Sequence, residues 1–144
     1  DVFLAKDLVG SSVWLRNDGV GNLTEVSSVL APLNVEGAAM ADFDRDGDLD
    51  IVIATGFGNG GFGPNGNSQV LLNDGTGVFT SAWNDNQIVN SRDVAVGDFN
   101  GDNWPDFAIA ALSSASKVWL NDGTGTGFSE LVIPYISTTG VAVG

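Results

Sequence analysis

The chain contains no cysteine and no histidine. The absence of cysteine excludes disulfide bridges, thiolate metal ligands and a cysteine nucleophile, and the absence of histidine excludes an imidazole base and zinc sites of the common kinds. Positive charge is also scarce, since five basic residues stand against eighteen acidic ones and give a net charge of -13. This balance argues against binding to nucleic acids or anionic membranes, because both require a basic face.

Long apolar runs are missing as well. No stretch approaches the roughly 18 residues that cross a bilayer as a helix, so we expect no transmembrane helix. No signal peptide is visible, and we interpret the sequence as a mature form or a piece of a longer protein. The 144 residues, 43% of them hydrophobic, fit one packed domain, and twenty glycines indicate many tight turns.

The acidic residues are concentrated in two stretches with the same internal spacing. Acidic loop 1 (residues 42–50) and acidic loop 2 (residues 98–106) lie 56 residues apart, and both place carboxylates or amides at positions 1, 3, 5 and 9. Short apolar runs surround each loop, and the tripeptide Asn-Asp-Gly recurs at 17–19, 73–75 and 121–123. The pattern indicates a structural repeat of about 50 residues.

The apolar runs predict four short β-strands in each repeat, because they are rich in Val, Ile, Leu and aromatic residues and are bounded by Gly, Asn and Asp. Asn-Asp-Gly between two runs predicts a hairpin, since these residues tolerate the positive φ of tight turns. No segment has a convincing helical period. The fold class expected is therefore all-β, with β-propeller blades of four antiparallel strands in a partial propeller.

One β-propeller domain is expected over residues 1–144. Its parts are the last three strands of a blade (1–30), two complete blades (37–84 and 92–133) and the first strand of a next blade (138–144). Propellers normally have about four to eight blades, so three blades do not close a ring. The chain is expected to be part of a longer propeller or, as the alternative, to form rings from several copies.

Four oxygen-bearing side chains within nine residues predict a site for a hard cation. Ca²⁺ takes about six to eight oxygen ligands in irregular geometry, whereas Mg²⁺ demands an octahedron and keeps its waters. Gly47 and Asn103, at position 6, suit the left-handed backbone of such a curl, and position 7 offers a backbone carbonyl, from Asp48 and Trp104. With four ligand carboxylates against three, loop 1 is expected to bind Ca²⁺ more tightly. The predicted metal ligands are Asp42, Asp44, Asp46, Asp48, Asp50, Asp98, Asn100, Asp102, Trp104 and Asp106.

Two other interpretations apply to the acidic loops, and a third applies to the glycine-rich stretch that follows loop 1. A metal-free Asp-rich turn is the plain alternative, and two evenly spaced copies argue against it. An EF-hand is excluded, because its loop needs Glu at position 12 and flanking helices, whereas Ile53 and Ile109 stand there and strands flank both loops. The glycine-rich stretch 56–63 contains no lysine and precedes no helix, which disfavours a phosphate cradle.

The spacing Asp-x-Asp/Asn-x-Asp/Asn-x-x-x-Asp before a short apolar strand resembles the FG-GAP/VCBS repeat of integrin α-subunit propellers and many secreted microbial proteins. Residues 41–54 fit it closely, residues 97–107 fit almost as well, and residues 73–78 are similar to the microbial members. The resemblance implies a propeller, commonly seven-bladed, with one Ca²⁺ in the loop joining the first two strands of a blade. It also implies an extracellular setting, secreted or at the cell surface.

The function expected is an extracellular, calcium-stabilised module for adhesion, protein interaction or scaffolding. The alternatives are a lectin-like carbohydrate-binding propeller and a non-catalytic domain of a secreted polysaccharide-acting enzyme. No catalysis is expected, because the clustered acids are accounted for as metal ligands in sites without an evident open position. A glycosidase carboxylate pair is the enzyme alternative.

The expected partners are a protein or glycan at the propeller loops, and neighbouring blades from the parent chain or from other copies. The long connection 55–69, which carries Phe57 and Phe62, is the candidate contact segment, because propeller loops carry function. Trp14 and Trp119 occupy equivalent strand positions. They are expected to stack between blades, with a sugar-binding platform as the alternative.

Overall fold

The structure is a computed structural model. It describes residues 1–4, 12–28, 34–56, 67–86, 90–112, 114–131, 133–134 and 136–144. Within these ranges the secondary structure consists of β-strands, turns and bends, and no helix is present. The prediction of an all-β fold is confirmed.

Each sheet is formed by strands that follow one another in the chain, and neighbouring strands are antiparallel. Sheet 1 contains β1 (Val2–Leu4), β2 (Val13–Asn17) and β3 (Leu23–Ser28). Sheet 2 contains β4 (Val35–Ala41), β5 (Asp50–Thr55), β6 (Gln69–Asn73) and β7 (Phe79–Asn84). Sheet 3 contains β8 (Ser91–Gly97), β9 (Asp106–Ala111), β10 (Lys117–Asn121) and β11 (Phe128–Leu131).

Strand β5 shows why the central strands are nearly continuous apolar runs: all six of its residues are buried, so both faces need apolar side chains. Successive side chains of a strand point to opposite faces. Ile51 and Ile53 pack in one cluster with Trp14 of sheet 1, whereas Val52 and Ala54 pack in a second cluster with residues of sheet 3. Sheet 2 therefore lies between the other two sheets.

The predicted hairpins are present where the Asn-Asp-Gly tripeptides join β2 to β3, β6 to β7 and β10 to β11. Their backbone reversal depends on glycine, because Gly19, Gly75 and Gly123 have φ of +82°, +78° and +88°. The division of the sheets into propeller blades, with the bounds given above, stays a prediction.

Two predicted segments need separate mention. Residues 57–66, with most of the candidate contact segment and of the glycine-rich stretch, lie outside the described residues. Residues 136–144 carry no strand, so the strand expected over 138–144 is not formed in this structure. A strand is defined by its ladder, whereas this segment is held by single hydrogen bonds such as Thr138 N to Ala111 O (3.0 Å) and Val141 N to Asp93 Oδ2 (3.1 Å).

The aromatic side chains lie mainly between sheets. Trp14 is fully buried and its ring centroid is 4.9 Å from that of Phe79, and the buried Trp119 lies 4.7 Å from Trp83. Each pair joins two different sheets, as expected for stacking between blades. In the part of the chain that the structure describes, no helix has the length and apolarity needed to cross a membrane.

Candidate metal-binding loops

The two acidic loops occupy equivalent places in their sheets. Loop 1 connects β4 to β5 and loop 2 connects β8 to β9, so each joins the first and second strands of a four-stranded sheet. Because the strands are antiparallel, each loop emerges at the same end of its sheet as the Asn-Asp-Gly turn between the third and fourth strands. This places the carboxylates of a loop next to that turn.

Both loops curl through two left-handed residues, at positions 4 and 6. In loop 1 these are Arg45 (φ +61°) and Gly47 (φ +99°), and in loop 2 they are Gly101 (φ +80°) and Asn103 (φ +70°). The left-handed conformation predicted for position 6 is confirmed, whereas the one at position 4 was not predicted. Such residues cost backbone energy unless they are glycine, so the surrounding contacts must hold Arg45 and Asn103 in place.

Loop 1 brings three of its predicted ligands together. Single carboxylate oxygens of Asp42, Asp44 and Asp50 all lie within 4.8 Å of one another. The buried Oδ1 of Asp42 has no hydrogen-bond partner among the described residues. Asp46 and Asp48 are not in this group, although Asp46 is close enough to raise the pKa of Asp50.

Asp50 also closes the loop from within the sheet. Its Oδ2 accepts the amide proton of Phe43 (2.7 Å) and its Oδ1 accepts that of Asn73 (2.9 Å), so one buried carboxylate ties the start of the loop to the end of β6. Burial raises the pKa of Asp50 to about 6, and the negative charges of Asp44 and Asp46 act in the same direction. The two backbone hydrogen bonds oppose this increase.

The same pair of hydrogen bonds, which we call the aspartate clamp, recurs at position 9 of loop 2. Asp106 is fully buried, its Oδ2 accepts from Phe99 N (2.8 Å) and its Oδ1 accepts from Asn121 N (2.8 Å). In sheet 1, Asp1 directly precedes β1 and is the counterpart of position 9, and its Oδ1 accepts from Asn17 N (2.8 Å), although Asp1 is exposed. Position 9 of the motif is thus a structural acceptor for the asparagine of the turn, in addition to being a predicted metal ligand.

The asparagines of the turns connect these turns to the acidic loops, a role that the sequence does not predict. Asn73 Oδ1 accepts from Gly75 N (3.1 Å) and Gly77 N (3.2 Å), and its Nδ2 donates to Leu49 O in loop 1 (3.2 Å). Asn121 repeats these roles and also donates from Nδ2 to Phe43 O (2.9 Å), which belongs to the preceding repeat. The recurrence of Asn-Asp-Gly indicated a turn but not these contacts with the acidic loops.

Loop 2 is closed largely by its own hydrogen bonds. Asp98 accepts amide protons from Gly101 (2.8 Å), Asp102 (3.2 Å) and Asn103 (2.8 Å). Asn100 Nδ2 donates to Asp102 Oδ2 (2.8 Å). No group of three acids as close as that of loop 1 is found here among the described residues.

The loop 1 group fits a hard divalent cation. Its donors are all carboxylate oxygens, which is the ligand type that Ca²⁺ takes, and one of them is buried without a partner. The ion pairs within the described ranges join Arg92 to Glu36 and Lys117 to Glu130, so neither neutralises a loop carboxylate. Asp42, Asp44 and Asp50 would hold the cation, and the predicted ligand Asp46, whose charge acts on Asp50, would complete the set from position 5.

Comparison with known protein families gives two matches, and both are to models of the same kind of repeat. Residues 1–53 match a family model described as an FG-GAP-like repeat, and residues 91–128 match the FG-GAP repeat. A search of curated proteins finds no significant match to the chain. The two matched segments together span more than half of the chain, and each contains one acidic loop. The chain therefore belongs to the FG-GAP repeat family, whose repeats form β-propellers and suggest a protein-interaction module.

Proposed function

We propose that this chain is an extracellular, calcium-stabilised β-propeller module for adhesion, protein interaction or scaffolding. The observation that carries the calcium assignment is the group formed by Asp42, Asp44 and Asp50, together with the unpartnered buried oxygen of Asp42. The family carries the interaction role, since FG-GAP repeats suggest modules of that kind.

Electrostatic repulsion favours a bound cation in loop 1. Two unit charges about 4 Å apart repel by about 4 kcal/mol at an effective dielectric constant near 20. The raised pKa of Asp50 reflects burial first and then the nearby carboxylates. A divalent cation would offset this repulsion and satisfy the free oxygen of Asp42, whereas water or a proton would do so only in part.

The role proposed for the cation is structural. Asp42 directly follows β4 and Asp50 begins β5, and Asp50 also holds Asn73 at the end of β6. A cation shared by Asp42 and Asp50 would therefore fasten the ends of three strands of sheet 2. Fixing the loop in this way stabilises the folded state, because the unfolded chain does not assemble the site.

The extracellular assignment rests on the binding strength expected of such a loop. Extracellular calcium modules work with dissociation constants of about 10⁻⁴–10⁻³ M, since calcium is plentiful outside the cell. Both loops combine exposed carboxylates (Asp46, Asp98 and Asp102) with half-buried and buried ones, and we expect their affinity to lie in this range. Among the described residues, Trp14 and Trp119 do not support a sugar-binding function, because both are buried between sheets and a sugar platform needs an exposed ring.

Calorimetric titration with CaCl₂ tests the proposal. We expect two sites in the chain, with the tighter one lost in Asp46→Ala and the weaker one lost in Asp102→Ala. The two variants are matched, since each removes position 5 and its acceptor bond from the residue two positions on, Asp48 N (2.9 Å) or Trp104 N (2.8 Å). At a calcium concentration about 100 times the dissociation constant, each site adds about 2.7 kcal/mol to the free energy of unfolding.

Asp74→Ala is the control for this titration. It removes one exposed acid that accepts backbone hydrogen bonds in a turn, and it leaves both loops intact, so two sites should remain. Unchanged stoichiometry in both Asp46→Ala and Asp102→Ala would refute the calcium assignment. A melting temperature that a chelator leaves unchanged would refute it as well, and submicromolar affinity would contradict the extracellular setting.

A further inference from the structure

Arg45 reaches from loop 1 to loop 2. Its Nη2 donates a hydrogen bond to the backbone carbonyl of Asn103 (2.5 Å), and its guanidinium carbon lies 4.1 Å from the ring centroid of Trp104. The side chain therefore contacts both the backbone and an aromatic ring of loop 2. A planar guanidinium can lie flat on an aromatic ring while it donates a hydrogen bond in its own plane, a geometry that the compact ammonium group of lysine does not have.

The contacted residues are at positions 6 and 7 of loop 2. The amide of Asn103 is already fixed on Asp98 Oδ2 (2.8 Å), and the amide of Trp104 is fixed on Asp102 Oδ1 (2.8 Å). Arg45 thus holds the carbonyl of the peptide unit between Asn103 and Trp104, whereas carboxylates of loop 2 itself hold the amides of these two residues. Trp104 is also the residue whose carbonyl is the predicted backbone ligand of this loop.

Backbone geometry makes the contact consequential. Arg45 and Asn103 both have positive φ, so each loop depends on contacts to keep a conformation that its side chains disfavour. The direction in which the Arg45 side chain points depends on the left-handed backbone of loop 1 at that residue. A change in the conformation of loop 1 therefore changes the hydrogen bond that Arg45 donates to Asn103.

A second contact crosses the same boundary. Asn121 Nδ2 donates to Phe43 O (2.9 Å), and a Cβ added to Gly125 would lie 3.0 Å from Asp44 Cα, so the turn after β10 lies directly against loop 1. Loop 1 is thus in contact with the next repeat at both its start and its middle. This makes the pair of loops one contiguous structure rather than two isolated sites.

We infer that Arg45 couples the two acidic loops, so that a divalent cation in loop 1 raises the cation affinity of loop 2. The inference rests on the proposed function, since it requires both loops to bind. Linkage makes the effect reciprocal, so a cation in loop 2 raises the affinity of loop 1 by the same factor. The contacts are exposed, which places the expected factor near the low end of such couplings, at about fivefold.

The positive charge of Arg45 lowers the cation affinity of the loops, whereas its contacts with loop 2 are expected to raise it. A positive side chain next to a cation site weakens binding by repulsion, so removing the charge would confuse the measurement. Arg45→Lys keeps the charge and removes the planar stacking on Trp104 with its in-plane hydrogen bond. It is therefore the variant that isolates the coupling.

The test is a double-mutant cycle, with the calcium affinity of loop 2 measured by calorimetry in the full chain. Disabling loop 1 with Asp46→Ala should weaken loop 2 about fivefold when Arg45 is present, and should weaken it clearly less in the Arg45→Lys background, where the contact of Asn121 with Phe43 remains. Arg16→Lys is the matched control, because Arg16 also donates to a turn carbonyl, that of Gly75 (2.7 Å), and should leave the cycle unchanged.

A second measurement needs no metal. In calcium-free protein, the amides of Asn103 and Trp104 should exchange hydrogen faster in Arg45→Lys than in the parent chain, while the amides of β9 keep their protection. An equal effect of Asp46→Ala in both backgrounds would overturn the coupling and leave the calcium assignment intact. A chain that binds no calcium at all would overturn both.

Discussion

Loops 1 and 2 follow the same backbone path but differ in the contacts of their carboxylates. Both curl through left-handed residues at positions 4 and 6, and both end in a buried aspartate that accepts two backbone amides. Loop 1, however, gathers three carboxylates and leaves the buried Oδ1 of Asp42 without a partner among the described residues. Loop 2 instead satisfies Asp98 with three amides and joins Asn100 to Asp102.

The difference teaches that one backbone curl can be stabilised in two ways. Asp42 accepts a single amide, from Gly47 at 3.2 Å, where its counterpart Asp98 accepts three. A carboxylate that has few internal donors needs an external cation, whereas one with several donors is already satisfied. Loop 1 should therefore depend on calcium more strongly than loop 2, although their folded paths are alike.

The largest expected effect concerns the buried aspartate at position 9, which both loops share. Asp50→Ala and Asp106→Ala each leave two buried or partly buried backbone amides without an acceptor, and each should lower the free energy of unfolding by about 2–4 kcal/mol. Urea denaturation in the presence of a chelator measures this loss without any contribution from metal binding. Asp50→Ala should cost less than Asp106→Ala near pH 7, because it also removes the repulsion by Asp44 and Asp46 that helps to raise the pKa of Asp50 to about 6.

Asp122→Ala is the control for these two variants, since Asp122 is exposed and accepts only local bonds within its turn, such as that from Thr124 N (3.0 Å). Its cost should stay within about 1 kcal/mol. If Asp50→Ala or Asp106→Ala costs no more than this control, the buried clamp does not stabilise the repeat.

Much of this arrangement could be predicted from the sequence because it depends on local rules. The strands are short apolar runs, the hairpins follow from Asn-Asp-Gly, and the left-handed backbone at position 6 follows from Gly47 and Asn103. The regular spacing of oxygen-bearing residues likewise placed both loops between the first and second strands of a sheet. These features need only a few consecutive residues to be recognised.

The contacts that distinguish the loops could not be predicted in this way. Asp50 meets Asn73 at a separation of 23 residues, and Asn121 meets Phe43 at a separation of 78. Arg45 stands in the sequence as one variable position of the motif, and its role depends on a loop 58 residues away. Pairings of this kind are set by the packing of one sheet on the next, for which a single sequence carries no periodic signal.

An exchange at position 3 should have an intermediate effect and sharpens the comparison directly. Asn100→Asp gives loop 2 four ligand carboxylates, as in loop 1, and should tighten its calcium binding up to about tenfold, which corresponds to about 1.4 kcal/mol. Without calcium the same variant should be less stable than the parent chain, because the Asn100 donor to Asp102 is replaced by a repelling charge. Calorimetry measures the calcium affinity, and thermal unfolding in chelator measures the stability of the calcium-free chain.

The matched reverse exchange is Asp44→Asn in loop 1. It should weaken the tighter site by a similar factor and should raise the stability of the calcium-free chain, since it removes one charge from the group of three carboxylates. If both exchanges shift stability in the same direction with and without calcium, the number of carboxylates is not what separates the two loops.

The smallest expected effect lies at position 6, where the loops differ only in backbone cost. Asn103→Gly should raise the free energy of unfolding by about 0.5 kcal/mol, because glycine relieves the strain of φ +70° while losing more entropy on folding. The reverse change, Gly47→Asn, should cost a similar amount, since a Cβ at Gly47 meets no atom within 4 Å. Chemical denaturation of both variants in chelator measures these values, and a loss above about 1 kcal/mol in Asn103→Gly would show that the Asn103 side chain, rather than its backbone, supports loop 2.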